Sequence, residues 1–241
     1  MQFVQFQDLG QMPYRSAWDY QTQLHRGLLE HKRSNKHLRA GHYPQQHYLL
    51  FVEHPPVYTL GKSGAEKNLL LTETELLEKG IEYFPINRGG DITFHGYGQI
   101  VGYPILDLEW FFCDVHRYVR SIEEVIIRTV AEYGLEAFRI KEYTGVWVNR
   151  QQPFSGVAKL CAIGVHLSRW VTLHGWALNV NTALDYFGYI VPCGIQDNDK
   201  SVTSLANELG HAIDMEEIKD KIIKHFSDVF ECEIGQTPFF G

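Results

Sequence analysis

The sequence predicts an α+β fold, with a mixed β-sheet core flanked by helices. Three observations predict it. Stretches with apolar residues at every second position and stretches with helical spacing follow one another without regular strand–helix alternation. At 241 residues and 44% hydrophobic the chain can bury a full core. No internal repeat, low-complexity tract or Gly/Ser/Pro linker divides it, so residues 1–241 are expected to form a single domain.

"MQFVQFQDL" alternates and is read as the first strand. Ala17, Tyr20, Leu24 and Leu28 recur at helical spacing within residues 14–33, an amphipathic helix. "QHYLLFVEHPPVYTLG" is a strand broken by Pro55–Pro56, because proline cannot donate to a ladder. A helix near 73–79 leads to "IEYFPINRGG", a strand entering a glycine turn, and "IVGYPILDL" is a buried strand. "SIEEVIIRTVAEYGL" has the spacing of a capping box, Ser121 with Glu124, and closes near Gly134. Three strands are expected next, "TGVWVN", "GVAKLCAIGVHL" and "TLHGWALNV", with "NRQQP" as the hairpin turn between the first two. Helices near 201–209 and 215–230 complete the chain, the second capped by Asp214 with Glu217 at its third position.

Charge and composition exclude several functions. A formal net charge of −7 argues against a nucleic-acid or polybasic membrane binder. No apolar run approaches a membrane span, and the N-terminus lacks a basic region followed by an apolar block, so a cytoplasmic protein is expected. Cys113, Cys161, Cys193 and Cys232 are scattered without a CxxC, which suits free thiols in a reducing compartment. Cys113 and His116 in "CDVH" have metal-like spacing but no second pair of ligands, so no metal is expected.

Four segments carry possible chemistry. "IVPCGIQDNDKSVTSL" sets Cys193 between Pro192 and Gly194, on a bend that would present its sulfur. A half-buried thiol in an ordinary turn is the plainer alternative. "RGGDITFHGYGQ" pairs glycines with a following histidine, either a ligand-approaching loop or a tight hairpin, and it fits no phosphate-loop pattern. In "AKLCAIGVH", strict alternation puts Lys159, Cys161 and Ile163 on one face and Leu160, Ala162 and Gly164 on the other. A lysine with apolar neighbours is costly to bury unless paired, although an edge-strand lysine would simply reach solvent. "TLHGWALNVN" sets His174–Gly175 on a strand. Lowering the pKa of Cys193 by about 1.5 units, through Lys159 or a histidine, would leave it half thiolate near neutral pH. These residues suggest thiol chemistry and name no substrate.

In combination they say more. "RGGDITFHGYGQIVGYPILDL", "TGVWV", "KLCAIGVH", "LHGWALNVN" and "PCG", in this order and followed by "SVTSL", closely resemble the octanoyltransferase family of lipoate biosynthesis over about residues 50–205. One departure is Tyr97 in "HGYGQ", where that family usually has proline. The resemblance implies a biotin/lipoyl protein ligase-like fold and a single catalytic domain. It implies transfer of an octanoyl group from octanoyl-acyl carrier protein to a lysine on lipoyl domains of lipoate-dependent enzymes, with no cofactor, nucleic acid or membrane. Carried over by position, Cys193 is the nucleophile that takes the acyl group as a thioester, and Lys159 lowers its pKa and handles protons. Arg88, Gly89, Gly90, Asp91, Ile92, Thr93, Phe94 and His95 would line the acyl site, together with Ala162, Ile163 and Gly164 and with Gly175, Trp176 and Ala177.

Two enzymes are the rivals. An ATP-dependent lipoate or biotin ligase would need a lysine shortly after the glycine segment, where this chain has the apolar "IVGYPILDL". A cysteine hydrolase would use Cys193 with His95 or His174 and release free acid. Finally, "HRGLLEHKRSNKHLR" (His25–Arg39) carries five Lys/Arg against one acidic residue. It is either a solvated helix face or a strip on which Lys32, Arg33 and Lys36 meet an acidic carrier protein.

Overall fold

The computed structural model describes residues 1–38, 43–150, 156–191 and 200–236. The first strand, β1 (Gln2–Gln11), leads through Met12 and Pro13 into α1 (Tyr14–Ser34). Tyr14, Ala17, Gln21, His25 and Leu28 make the buried stripe of that helix, three and four residues apart. The next two strands are β2 (His47–Glu53) and β3 (Val57–Leu60). Pro55 and Pro56 between them do more than interrupt a strand, because β2 belongs to a large sheet and β3 to a small one. The short helix α2 (Glu73–Lys79) starts at a capping box of Thr72 and Glu75 and stops at left-handed Gly80. Strands β4 (Glu82–Pro85), β5 (Ile92–His95) and β6 (Gln99–Ile105) follow, the last buried throughout.

Helix α3 (Val115–Ala131) begins six residues before the expected Ser121. Asp114 is its N-cap, accepting from the Arg117 N–H, and the buried stripe already starts at Tyr118. Ser121 is therefore interior, and Glu124 pairs with Arg128 and Arg139 instead of turning back to a cap. Strand β7 (Ala137–Ile140), which lacks a clear alternating signature, precedes the expected β8 (Tyr143–Asn149), β9 (Val157–Ser168) and β10 (Val171–Asn179). The proposed β8–β9 turn falls largely outside the described residues, though the two strands do pair antiparallel.

Residues 200–202 are a strand rather than helix. This β11 (Lys200–Val202) runs parallel to β9, and α4 (Leu205–Leu209) starts only after its cap Ser204. Helix α5 (Met215–Phe230) is capped by Asp214 as expected, and β12 (Cys232–Gln236) returns parallel to β1.

Among the described residues, nine strands form one mixed sheet in the order β12-β1-β2-β6-β10-β9-β8-β7, with β11 beside β9. Three more form a second sheet, β4-β3-β5. Helices α3 and α5 cover one face of the large sheet through a core that includes Val125, Ile126, Ile222, Phe226 and Trp176. On the other face, α1 packs over β6 and β10 through Ala17, Leu28, Val101 and Ala177. The small sheet lies beside α1, where Tyr14 joins Val57 and Ile86. A space remains on that face, between the small sheet and β6, β9 and β10.

The basic strip of α1 is only partly a solvated face. Lys32 Nζ donates to Asp107 Oδ1 and to the Arg169 carbonyl, both at 2.8 Å, and lies 3.0 Å from Glu109. The Asp107 side chain is fully buried; burial pushes its carboxyl pKa up, and the Lys32 ammonium opposes that shift. The Lys32 ammonium is thus engaged within the chain as an anchor, while Arg33 and Lys36 are exposed and Arg39 lies outside the described residues. We expect Lys32→Met to lower unfolding free energy by about 3 kcal/mol, because it strands a buried carboxylate. Denaturant titration checks this: adding Asp107→Asn to Lys32→Met should restore much of the loss, and two additive losses would contradict the pairing.

Candidate active site

The site is organised by a break in a strand. Val146 pairs with Cys161 and Trp147 with Lys159, so Leu160 has no opposite number on β8. This bulge reverses the alternation. Ala158, Leu160 and Cys161 all face the helix-covered core, whereas Lys159, Ala162 and Gly164 face the space beneath the small sheet. The alternation read from sequence, with Lys159 and Cys161 on one face, is therefore incorrect. Gly145 makes the bulge possible: its φ is +127°, and a Cβ there would stand 2.5 Å from the Cys161 carbonyl oxygen.

Lys159 is also no edge residue. Trp147 faces it on β8, Val202 faces it on β11, and the residue is 8% exposed. Its ammonium sits 4.7 Å from the centre of the Trp147 ring, a cation–π contact.

The glycine-rich loop before β5 closes over these strands. Arg88 is buried; its Nη2 donates to the Thr59 carbonyl at 2.7 Å and to Thr59 Oγ1 at 3.0 Å, and its Nη1 donates to the Gly89 carbonyl at 2.9 Å. Gly89 N–H donates to the Val165 carbonyl, tying the loop to β9. Gly164 allows that approach, since a Cβ there would stand 2.9 Å from both Arg88 Cδ and the Gly89 oxygen. Asp91 holds the loop from within, accepting from Asn68 Nδ2 and from the Ile92 N–H at 2.6 Å each. Strand alternation then sends Thr93 and His95 into the cavity and Ile92 and Phe94 away from it, Phe94 stacking on Tyr186.

A chain of hydrogen bonds runs from Arg88 across the cavity wall. Thr59 Oγ1, which accepts from Arg88, donates to His95 Nε2 at 3.3 Å. His95 Nδ1 donates to Gln99 Oε1 at 2.8 Å, and Gln99 Nε2 donates to the Phe94 carbonyl and to Asn179 Oδ1. Asn179 Nδ2 donates to the Thr203 carbonyl, and Thr203 N–H donates to the carbonyl of Lys159. Burial, more than any neighbour, holds the His95 pKa well below its usual value. Burial also takes His174 down to about 3, with its Nε2 hydrogen-bonded to Asn87 Oδ1. Both imidazoles are neutral near pH 7 and already engaged.

The cavity has a volume of about 240 Å3. Of the expected residues, Arg88, Gly90, Thr93 and His95 line it from the small-sheet side, and Lys159, Ala162, Ile163, Gly164, Gly175, Trp176 and Ala177 line it from the large sheet. Gly89, Asp91, Ile92 and Phe94 do not; they hold or back the loop. The indole of Trp176 turns into the opposite core against Phe51 and Phe226. Tyr14, Val101 and Tyr103 close the cavity from α1 and β6, while Glu142 and Thr144 stand at its exposed edge. Tyr103 carried a signal, a phenol inside an apolar strand; Tyr14 looked like one more residue of an amphipathic stripe.

Cys193 lies outside the described residues. The other cysteines are poor thiolates: burial pushes Cys161 far up and Cys232 up to about 12, and Cys113 is raised by desolvation and by Glu109. No cluster of metal ligands occurs among the described residues, and no helix there is long and apolar enough to cross a membrane.

Residues 13–227 match the lipoyl protein ligase A/B catalytic domain. The chain is 55% identical over 232 residues to an octanoyltransferase of Flavobacterium johnsoniae, an alignment covering 96% of this chain and 98% of that one. It is 49% identical to an octanoyltransferase of Cytophaga hutchinsonii, over 97% and 95% of the two chains. A bi-partite lipoate protein ligase from Thermoplasma acidophilum superposes with a TM-score of 0.67 at 15% identity, over 100% of this chain and 88% of that one. A biotin protein ligase from Aquifex aeolicus superposes with a TM-score of 0.51 at 12% identity, over 95% and 70%. At such identities the two structures speak for the fold alone. The chain therefore belongs to the lipoyl protein ligase A/B catalytic-domain family, among its octanoyltransferases, and is an acyltransferase on the α+β fold shared with lipoate and biotin protein ligases.

Proposed function

We propose that the protein moves an octanoyl group from acyl carrier protein to a lysine of a lipoyl domain, through a thioester on Cys193. The observation that supports this reading best is the placement of Lys159: a buried amine on the wall of a largely apolar cavity, brought to that face by the β-bulge. The segment carrying Cys193 re-enters the sheet at β11, whose Val202 pairs with Lys159.

In the first half-reaction the Cys193 thiolate attacks the carbonyl carbon of the carrier thioester. The carrier's thiolate leaves and takes up a proton. Exchange between thioesters is nearly balanced in energy, so positioning does most of what is needed. In the second, the neutral amine of the lipoyl-domain lysine attacks the Cys193 thioester, the C–S bond breaks to release the Cys193 thiolate, and the nitrogen gives up a proton as the amide forms. Lys159 suits both steps. As a cation it would favour the Cys193 thiolate, and as a neutral amine it could accept the proton of the attacking lysine. The hydrolase alternative loses support here, because a histidine held as low as His174 is a weak base at neutral pH.

Incubation with octanoyl-carrier protein and a lipoyl domain, without ATP, tests the function. The expected product is a lipoyl domain octanoylated on one lysine. A strict requirement for ATP would indicate a ligase, and free octanoate without acylated protein would indicate a hydrolase; either would refute the proposal.

A further inference from the structure

The floor of the cavity is a row of side chains that crosses the strands. Ala162 of β9 pairs with Ala177 of β10, Ala177 with Val101 of β6, and Val101 with Val52 of β2. Directly paired residues share a face of the sheet. Ala162, Ala177 and Val101 all line the cavity, and Val52 is buried behind them. Two successive methyl groups leave a trough above the sheet, and Val101 is the first side chain in the row large enough to fill it. Ala162 is partly exposed while Val101 is 1% exposed, so the trough runs inward from the Lys159 side to a closed end.

Two polar side chains at the closed end, Tyr103 and His95, have their hydrogen bonds met within the protein. Tyr103 OH donates to His54 Nε2 at 2.8 Å, because His54 Nδ1 is committed to the Met12 carbonyl. Both nitrogens of His95 are engaged by Thr59 and Gln99. The polar atoms of Tyr103 and His95 at that end are therefore already paired within the protein.

Neighbouring strands are about 4.8 Å apart, so the span from Ala162 to Val101 is about 10 Å. A saturated chain with bonds near 1.5 Å advances about 1.3 Å per carbon. About eight carbons therefore fit along the trough between Ala162 and Val101.

We propose that Val101 is the end-stop that sets acyl-chain length, with Ala162 and Ala177 as the trough that leads to it. This rests on the reading of the cavity as the acyl site. Each accepted carbon is worth about fourfold in affinity, and a carbon beyond the stop must displace a packed side chain.

The test is calorimetric binding of free saturated acids from four to twelve carbons. It needs neither Cys193 chemistry nor a carrier protein, so a failure of transfer is distinguishable from a failure of the ruler. In the wild type, affinity is expected to climb to about eight carbons and then fall. Val101→Ala should move the optimum to about nine or ten. Ala177→Val brings the stop one strand closer and should move it to about four, with circular dichroism confirming the fold of both variants. Should Ala177→Val fail to fold, the Val101→Ala shift decides alone. An unmoved optimum in the folded variants, or wild-type affinity that climbs steadily past ten carbons, would overturn the proposal; no binding of any acid would overturn it together with the acyl reading.

Discussion

Cys193→Ser is expected to reduce octanoyl transfer by more than about 10³-fold, with the variant as stable as the wild type. A serine hydroxyl at neutral pH is almost wholly protonated and a poor nucleophile without a strong adjacent base. Burial lowers the basicity of His95 and His174 on the cavity wall, so neither is a strong base for a serine hydroxyl. No other cysteine is a natural substitute, since Cys161 and Cys232 face the core and Cys113 is raised in pKa. Steady-state transfer measured with a lipoyl domain checks the loss. Normal turnover by the serine variant would remove the covalent intermediate from the account.

The second large effect is expected at Lys159. Lys159→Arg keeps a positive charge but cannot give up its proton, so it should fold and lose transfer by about 10²- to 10⁴-fold, the range for a general base. Thiol alkylation separates the two proposed roles. Cys193 should react faster in Lys159→Arg than in Lys159→Ala, because a retained cation still favours the thiolate. Loss of transfer with retained alkylation would identify proton transfer as the role of the amine. Normal transfer by the arginine variant would show that Lys159 is not the base.

Much of this was legible in the chain because local signals agreed with the fold. The capped ends of α2 and α5, the stripe of α1 and the apolar run of β6 are set by caps and by the spacing of apolar residues, which neighbours reinforce. What was illegible depended on pairing. The face on which Lys159 points is decided by one unpaired residue, Leu160, and by Gly145 on the neighbouring strand, against the Cys161 carbonyl; no pattern within "AKLCAIGVH" marks that slip. Strands β7, β11 and β12 are short and are strands only because a partner lies beside them. Lys32 looked like one charge among five, and only the distant Asp107 makes it an anchor. The anticipated residues that line the cavity sit in one loop with the strand β5 that follows it, and in the adjacent strands β9 and β10, where glycines announce close approach. Tyr14 and Val101 were missed because an apolar wall and a core are built from the same residues.

The most direct test is mass spectrometry of the wild-type enzyme after brief incubation with octanoyl-carrier protein and no acceptor. One octanoyl group is expected on the intact chain, on the peptide containing Cys193, and it should vanish when a lipoyl domain is added and appear on that domain's lysine. An octanoyl group on Cys113, Cys161 or Cys232, or full transfer with no trace of an acyl-enzyme, would contradict it.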